Sequence, residues 1–271
     1  LPRLLQSMPG IILASLAVFI TFVPILVAFV FSFARSIFLP FPPTELTLKW
    51  YVEFASSDRW FDAISTSLVL GVVVAVIVTL ISALTAIAMV RGRFPGKNTV
   101  MALILSPLII PHVVLAVGLW HLFFVIRLSG TFWGVAIAHM IPAIPLTTIV
   151  IAANLQTFDK GLEQVARGLG ASPIRAFASI TVPILRPGFL VAAFFGFLVS
   201  LDELVFTLFL AGYRIRTLPL RLWEDLHVRL DPVLAVVSVV EVVLVLLVLT
   251  GAALVLRYRQ RRTGEKTALI G

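Results

Sequence analysis

The chain has 271 residues, of which 60% are hydrophobic and 13% are charged, and its formal net charge is +8. A mean hydropathy of +1.10 lies far outside the range of soluble domains and places the chain in a lipid bilayer. The absence of cysteine excludes disulfides and thiolate metal sites, and the basic balance is a signal of membrane topology that gives no support to nucleic-acid binding.

Six apolar stretches are long enough to cross a hydrocarbon core of about 30 Å, which takes roughly 20 helical residues. The first stretch is too long for a signal peptide and lacks an A-x-A-like cleavage site, so we interpret it as a span. Thirteen of the 21 Lys and Arg residues fall on the side of both chain ends, which predicts cytoplasmic termini (N-in, C-in). The sequence therefore predicts an all-α membrane protein with six transmembrane helices, at 10–33, 63–90, 99–126, 132–155, 187–212 and 233–256.

We expect three regions along the chain. Residues 1–62 hold the first helix and an outer segment, 34–62, whose prolines and aromatic residues are typical of a membrane–water boundary and of short interfacial helices. Residues 63–256 form a five-helix core, and 257–271 form a basic cytoplasmic tail.

The turn between the second and third spans, 92–98, is the nearest approach to a phosphate-binding loop. It has three residues between its glycines where four are needed, and Asn98 stands where Ser or Thr would hold magnesium. We interpret it as a basic cytoplasmic turn. We expect no cofactor in this chain, so that ATP and Mg, if they drive the protein, are bound by a partner. The four histidines are too scattered to predict a metal site.

Prolines are expected to bend two of the spans. Pro107 and Pro111 fall in the third span, and Pro142 and Pro145 fall in the fourth. A proline inside a helix removes one backbone hydrogen bond and clashes with the preceding turn. The freed carbonyl groups are tolerated in a membrane only where they face protein or a water-lined path.

A charged segment with several glycines and prolines, 159–187, follows the fourth span. Apolar residues at the i, i+3, i+4, i+7 spacing predict a short amphipathic helix, with a stripe formed by Leu162, Val165, Ala166 and Leu169. Asp159 suits its N-cap, and Gly170 suits the left-handed residue that ends it. Ser172, followed by proline, predicts a second short helix that runs toward Pro183. We therefore expect two short helices that meet at a tight elbow.

This segment resembles the cytoplasmic EAA loop (E-A-A, three residues, G, nine residues, I-x-L-P) of permease subunits in binding-protein-dependent ABC importers. The matching run begins with Gln164-Val165-Ala166, continues through Gly170 and ends with Ile180-Thr181-Val182-Pro183. The chain departs from the pattern at Gln164, Val165 and Val182. Glu163, one place earlier, could supply the acid. The resemblance covers roughly residues 47–256 and implies a type I ABC importer permease fold.

In that family the first short helix of the loop is the coupling helix, which docks into a groove on the ATPase subunit and transmits its closure. The resemblance thus implies ATPase-coupling residues at Glu163, Gln164, Val165, Ala166, Arg167, Leu169, Gly170, Ala171 and Ser172. It implies as partners a second homologous permease, an ATPase dimer and an extracytoplasmic substrate-binding protein. The chain is then a non-catalytic, multi-pass transport subunit of the bacterial cytoplasmic (inner) membrane.

Within this family the chain is most similar to the spermidine/putrescine-type permeases. The likeness rests on three short runs, L-K-W-Y at 48–51, S-L-D-E at 200–203 and R-T-L-P at 216–219, the last followed by Leu222-Trp223. It implies a polyamine cargo delivered by a binding protein. Permeases for iron, thiamine, phosphonates and opines are also similar, and these cargoes stay open as alternatives.

Acidic residues inside the predicted spans are candidates for the transport path. Asp202 and Glu203 lie in the fifth span, roughly 20 Å from its cytoplasmic end at 1.5 Å per residue, where a charge facing lipid costs about 3 kcal/mol. Because neighbouring helical residues diverge by about 100°, we expect one carboxylate to line the path and the other to pack or pair. Glu241 and the aromatic Trp120 complete the predicted set for a cationic solute. The alternative is structural pairing, for example of Glu241 with His139.

The outer segment 213–232 predicts an amphipathic helix, with leucines at four-residue spacing at Leu218, Leu222, Leu226 and Leu230. It is either an interfacial anchor or a contact to the outer mouth or the binding protein.

Two other classes of protein fit the sequence less well than an importer permease does. A proton-coupled secondary carrier would use Asp202, Glu203 or Glu241 as a relay, and it is disfavoured by the EAA-like loop and by the lack of a clear repeat between the halves. An intramembrane enzyme lacks a constellation of reactive residues, since the chain has no Cys, no H-E-x-x-H and no G-x-S-x-G.

Overall fold

A computed structural model of the chain describes residues 8–36, 41–228 and 231–268. It is 80% helical and has no strand within those ranges, which confirms the all-α class. Residues 1–7 of the predicted first region, Leu230 of the predicted outer stripe and residues 269–271 of the predicted tail lie outside the described residues. The helices, numbered in chain order, are α1 (Met8–Phe31), α2 (Lys49–Ala55), α3 (Asp58–Arg91), α4 (Lys97–Leu105), α5 (His112–Val125), α6 (Phe132–Gln156), α7 (Gly161–Gly168), α8 (Pro173–Ala176), α9 (Val182–Leu201), α10 (Val205–Leu210), α11 (Leu218–Val228) and α12 (Val233–Ala268).

Five helices among the described residues are long and apolar enough to cross a membrane. They lie at Pro9–Phe31, Asp58–Arg91, Phe132–Gln156, Pro173–Leu201 and Val233–Leu254. A sixth span results if the bent pair Lys97–Leu108 and His112–Val125 counts as one. The predicted number of six spans therefore remains a prediction, which requires the broken pair to cross the membrane as one span.

The third predicted span, 99–126, is broken rather than merely bent. A short 3₁₀ turn at Ser106–Leu108 ends the first half, and the second half starts at His112 after a bend of 99°. Pro107 and Pro111 lie on either side of this break, as the chemistry of proline requires. Pro142 and Pro145 do not interrupt their helix, since α6 continues through both as a single helix.

The fifth predicted span, 187–212, is wrong at both ends. The helix that starts the span is already formed at Pro173, widens into a π turn at Phe177–Thr181 and continues as α9 to Leu201. Pro183 has no N–H to donate four residues back, which is a local reason for the wider turn. The second short helix of the 159–187 segment is therefore the start of this span, and α10 is a separate short helix.

The helices form two compact units. The larger unit consists of Asp62–Leu220 and the segment that begins at Leu249. Its centre is α6, whose buried residues pack against α3, α9 and α10. Gly188 of α9 lies so close to α6 that an added Cβ would be 2.6 Å from Asn154 Cγ. Ser82 and Thr147, both buried, join α3 to α6 through a 2.6 Å hydrogen bond.

The smaller unit combines the described residues up to Phe61 with Arg221–Val248. The predicted short helix of the 34–62 segment is present as α2. The Trp50 indole N–H donates to the Ala34 carbonyl at 2.7 Å, and the Tyr51 hydroxyl lies 2.7 Å from the Ser32 hydroxyl. These two bonds fix α2 to the end of α1. The predicted domain boundaries near 62 and 256 remain predictions.

The predicted amphipathic helix of the outer segment is present as α11, although its buried leucines differ from the predicted stripe. Leu218 and Leu220 are buried, whereas Leu226 is 46% exposed. The Leu218 N–H donates to the Ser67 hydroxyl at 2.8 Å, which attaches the start of α11 to α3.

Candidate functional site

The elbow of the 159–187 segment has the predicted geometry. Gly170 has φ +93°, the left-handed conformation, and its N–H donates to the Arg167 carbonyl at 3.0 Å. The Ala171 N–H donates to the Ala166 carbonyl at 3.1 Å. This pair of bonds defines a Schellman motif, which closes a helix C-terminus and reverses the chain. The prediction of a left-handed Gly170 is confirmed.

Side chains accept hydrogen bonds at the N-terminus of each of the two short helices that the elbow joins. The Ser172 hydroxyl accepts from the Arg175 N–H at 3.3 Å, which confirms it as the N-cap of α8. The N-cap of α7 is Lys160 and not Asp159 as predicted. Asp159 still acts on the same end, because its carboxylate accepts from the Gly161 N–H at 2.8 Å. The acidic side chain is favourable beside the N-terminus of a helix.

The apolar stripe of α7 faces outward. Leu162 is 45% exposed, Val165 64% and Leu169 85%, while Ala166 is half-buried. Ile174, just beyond the elbow, is 82% exposed and adds to the same segment. An apolar face of this kind on a charged loop is typical of a docking surface. We name Leu162, Val165, Leu169 and Ile174 the coupling face.

Glu163 points away from this solvent-exposed region and into the protein. Arg91, at the end of α3, donates from Nη1 to both carboxylate oxygens at 2.8 and 3.0 Å. The Thr181 hydroxyl, in the π turn, donates to Oε1 of the same carboxylate. Both ion-pair side chains are only 19% exposed. We name Glu163, Arg91 and Thr181 the loop anchor. The sequence prediction that Glu163 could supply an acid to a partner remains untested, but the carboxylate is already bound within the chain.

Aromatic rings complete the surroundings of the loop anchor. The Arg91 guanidinium lies 5.5 Å from the ring centre of Phe158 and 5.8 Å from that of Phe177. Both rings present faces that attract a cation. Arg91 therefore joins four segments: the end of α3, the residues after α6, α7 and the π turn.

The electrostatics of Glu163 follow from these contacts. Partial burial alone would raise the pKa of its carboxyl, but the hydrogen bonds from Thr181 and Arg91 and the positive charges of Arg91 and Lys160 together lower the pKa below its usual 4.5. The carboxylate is therefore ionised at neutral pH, as the ion pair requires.

The remaining predicted coupling residues surround the coupling face. Gln164, Arg167 and Ser172 are exposed, and Ala171 is half-buried. In the neighbouring basic turn at 92–98, the Lys97 ammonium donates a hydrogen bond to the Gly92 carbonyl at 3.1 Å, so that it is engaged within the turn and not directed at a phosphate. Within the described ranges, no group of three or more His, Asp or Glu residues could hold a metal ion.

The two predicted path acids lie at a helix break and not within a helix. Asp202 is the C-cap of α9 and is exposed. Glu203 is in the short connection to α10, and only 6% of its side chain is exposed. Its Oε1 accepts from the Phe206 N–H at 3.2 Å, so it caps the start of α10. As predicted, one carboxylate is exposed and the other is buried. The cause is that α9 ends at Leu201, and not the 100° divergence of neighbouring residues within a helix.

Two histidines that the sequence did not assign to the path surround Glu203. His112 Nδ1 lies 3.4 Å from Glu203 Oε2. His139 is fully buried; its Nδ1 lies 3.0 Å from the Ser200 hydroxyl and its Nε2 2.8 Å from the Thr207 hydroxyl. Both ring nitrogens of His139 therefore have a hydroxyl partner within the larger unit. The alternative pairing of His139 with Glu241 remains a prediction.

The other two predicted path residues are elsewhere. Trp120 is 48% exposed and lies eight residues after His112, about 12 Å further along α5. Glu241 is half-buried on α12 and belongs to the smaller unit. The structure therefore brings Asp202 and Glu203 together with His112, and it does not place Trp120 at the same break.

Comparison with known proteins identifies the family. The model of the family described as "Binding-protein-dependent transport system inner membrane component" matches residues 79–263. The chain belongs to this family. It is thus an importer permease subunit, a non-catalytic and multi-pass component of the bacterial inner membrane.

Individual relatives of the permease agree with this result. The chain is 31% identical over 184 residues to the spermidine/putrescine transport system permease protein PotC of Haemophilus influenzae, and the match covers 68% of this chain and 72% of that one. It is 28% identical over 245 residues to the protein of the same description from Escherichia coli, covering 90% and 92%. A crystal structure of a bacterial alginate ABC transporter, in complex with an alginate pentasaccharide-bound periplasmic protein, contains a chain with the same fold, with TM-score 0.69, 14% identity and coverage of 92% and 93%.

Arg91 and His112 are the functional candidates of the permease that the sequence did not indicate, whereas their acidic partners, Glu163 and Glu203, were among the predicted residues. Arg91 and Glu163 are 72 residues apart in the chain, and His112 and Glu203 are 91 apart. The only signal for His112 was that it is a polar residue directly after Pro111, in an otherwise apolar stretch.

Proposed function

We propose that this permease couples to a partner ATPase through the coupling face of α7, and that both chain termini are cytoplasmic. The observation that carries the proposal is the contrast between Glu163, held inward by Arg91 and Thr181, and Val165 and Leu169, which are exposed on the same short helix. Exposed apolar side chains gain roughly 25 cal/mol per Å² when a partner covers them. When the ATPase closes on ATP, the loop anchor then transmits the movement of α7 to α3 and α9.

The complete importer consists of this chain, a second homologous permease, an ATPase dimer that binds ATP and Mg, and an extracytoplasmic binding protein. Family membership and the fold shared with a transporter solved together with its periplasmic protein support this composition. Access to the path alternates when rigid groups of helices move against each other. The long helix that runs from Pro173 to Leu201 extends from the elbow to the break at Asp202, and it is the direct mechanical connection between docking and path.

The proposed cargo is a polyamine. The exposed carboxylate of Asp202 and the buried carboxylate of Glu203 occupy one helix break, as a path for separated ammonium groups requires. The two PotC relatives compared above, at 31% and 28% identity, are described as spermidine/putrescine permeases, which supports the same class. Uptake of labelled spermidine by the assembled importer in proteoliposomes, with an uncharged disaccharide as the comparison solute, tests the class. Transport of the disaccharide in place of spermidine would contradict it.

The docking proposal is tested by adding a charge to the coupling face. Val165→Glu should reduce recovery of the cognate ATPase with the purified permease by tenfold or more, because losing a buried valine contact removes roughly 1.5 kcal/mol and burying an unpaired charge adds to this. Gln156→Glu is the matched control, since Gln156 is exposed at the end of α6, outside the coupling face. Equal recovery with the two variants would contradict docking through α7.

A further inference from the structure

Two helices of the larger unit are interrupted within the same region. The bent pair of α4 and α5 is interrupted before His112, and α9 and α10 are separated by Asp202–Leu204. Interrupted helices leave backbone groups without their usual partners, which a membrane protein tolerates where the break is enclosed by protein or lines a water-filled cavity. Two breaks in contact are therefore candidates for a movable part of the path.

One carboxylate joins the two breaks. Glu203 Oε1 accepts from the Phe206 N–H at 3.2 Å, which fixes this oxygen to the start of α10. The other oxygen, Oε2, lies 3.4 Å from His112 Nδ1 at the start of α5. The rings of His112 and Phe206 also pack, with centres 5.6 Å apart. We name the contact between Oε2 and Nδ1 the His112–Glu203 clasp.

The two sides of the clasp differ in how firmly they are held. Behind Glu203, His139 of α6 contacts hydroxyl groups on both sides of the break, Ser200 and Thr207. The Thr207 hydroxyl in turn donates to the Glu203 carbonyl at 3.0 Å. His112 is 42% exposed, and within the described residues Glu203 is its one polar partner. Glu203 is therefore the fixed side and His112 the side that can leave.

The clasp is also a weak contact. Hydrogen bonds from nitrogen to oxygen are usually 2.7–3.2 Å long, so 3.4 Å leaves it poorly formed. A primary ammonium group donates three hydrogen bonds, and its bond to a carboxylate is shorter and roughly twice as strong as a neutral one. Asp202, the preceding residue, adds an exposed carboxylate to the same helix break. An organic cation with two or more ammonium groups can therefore compete with His112 for Glu203.

We infer that His112 occupies the position at Glu203 that an ammonium group of the cargo takes during transport. Arrival of the cargo displaces His112, opens the clasp and allows α5 to separate from the break between α9 and α10. The permease thus has a latch that responds to cationic cargo and not to a neutral solute. This inference rests on the proposed function, and it adds to it the residue that senses the charge of the cargo.

Opposite changes at one position test the latch. The permease, its cognate ATPase and its binding protein are reconstituted in proteoliposomes, and two rates are measured: ATP hydrolysis without spermidine or binding protein, and spermidine uptake. His112→Ala removes the latch and should raise the unstimulated hydrolysis at least about threefold. His112→Lys places a tethered ammonium at Glu203 and should lower spermidine uptake roughly tenfold or more, as expected for a competing charged hydrogen bond. Glu203→Gln should lower uptake by a similar factor.

Controls separate this latch from a structural effect and from the proposed function itself. His121→Ala changes an exposed histidine on the same helix and should alter neither rate. A structural role for His112 predicts that alanine and lysine cause the same loss, which would overturn the inference, as would His112 variants that match His121→Ala. Absence of ATP-dependent uptake by the wild-type complex would instead refute the proposed function, and the latch with it.

Discussion

Removal of the Glu163 carboxylate should release α7 from the end of α3. In the folded permease this carboxylate accepts two hydrogen bonds from Arg91 and one from Thr181, and both ion-pair side chains are 19% exposed. A hydrogen bond to a charged group contributes roughly 1.5–3 kcal/mol, whereas an exposed ion pair contributes about 1 kcal/mol or less. For this mostly buried pair we expect Glu163→Ala to cost about 3 kcal/mol and Glu163→Gln, which keeps part of the hydrogen bonding, about 1.5 kcal/mol.

These energies predict measurable rates of local opening. Since about 1.4 kcal/mol corresponds to a factor of ten, the amides of α7 should exchange with deuterium about 100-fold faster in Glu163→Ala and about tenfold faster in Glu163→Gln. The purified permease in lipid nanodiscs is suitable for the assay. Gln164→Ala is the matched control, because the neighbouring Gln164 is exposed and should change exchange less than about twofold.

A double-mutant cycle then tests the pairing itself. If Arg91 acts on α7 through Glu163, the variant that carries both Arg91→Ala and Glu163→Ala should exchange no faster than the more severe single variant. Fully additive effects, or a Glu163→Ala rate equal to that of Gln164→Ala, would refute the loop anchor.

Two further predictions concern the same loop. Gly170→Val should speed amide exchange at the elbow by tenfold or more, because a φ of +93° costs an L-residue roughly 1–2 kcal/mol and a β-branched residue more. The control, Gly168→Ala, should slow exchange in α7 slightly, since that helical glycine has open space around it and alanine favours the helix. Equal effects of the two variants would contradict the left-handed elbow. Because folding lowers the pKa of Glu163, its stabilisation is present above the usual value of 4.5 and is lost as pH falls through the lowered pKa. A spin label at position 165 should therefore become more mobile only below about pH 4.5, and in Glu163→Gln its mobility should not depend on pH in this range.

The features that the sequence predicts correctly are those set by local chemistry. The elbow depends on Gly170, which adopts the left-handed conformation most easily, and on Ser172 and the proline after it, which start a helix. The stripe of α7 follows from periodicity alone. Two prolines predict an interruption of the third span near His112, although the sequence predicts a bend there and the structure has a break. Each of these depends on residues that are close in the chain.

The errors come from boundaries and from distant pairs. Apolar residues continue on both sides of Asp202 and Glu203, so hydropathy placed one span over 187–212 and did not reveal that α9 ends at Leu201. The same continuity concealed that the span is already helical from Pro173. The pairs Arg91 with Glu163 and His112 with Glu203 become neighbours only when α3, α5, α7 and α10 pack, and neither pair has a spacing that a sequence pattern could reveal.

The chain has no cysteine, so single cysteines can report directly whether the coupling face meets the ATPase. The measurement is oxidative cross-linking in the assembled importer, with one cysteine in the ATPase groove and one in the permease at position 165 or, as the inward-facing comparison, at position 163. Docking through α7 predicts a cross-link from position 165 that changes in yield when ATP is bound, and little or none from position 163. A position 165 that forms no cross-link and reacts with a lipid-soluble thiol reagent in the assembled complex would contradict the central claim.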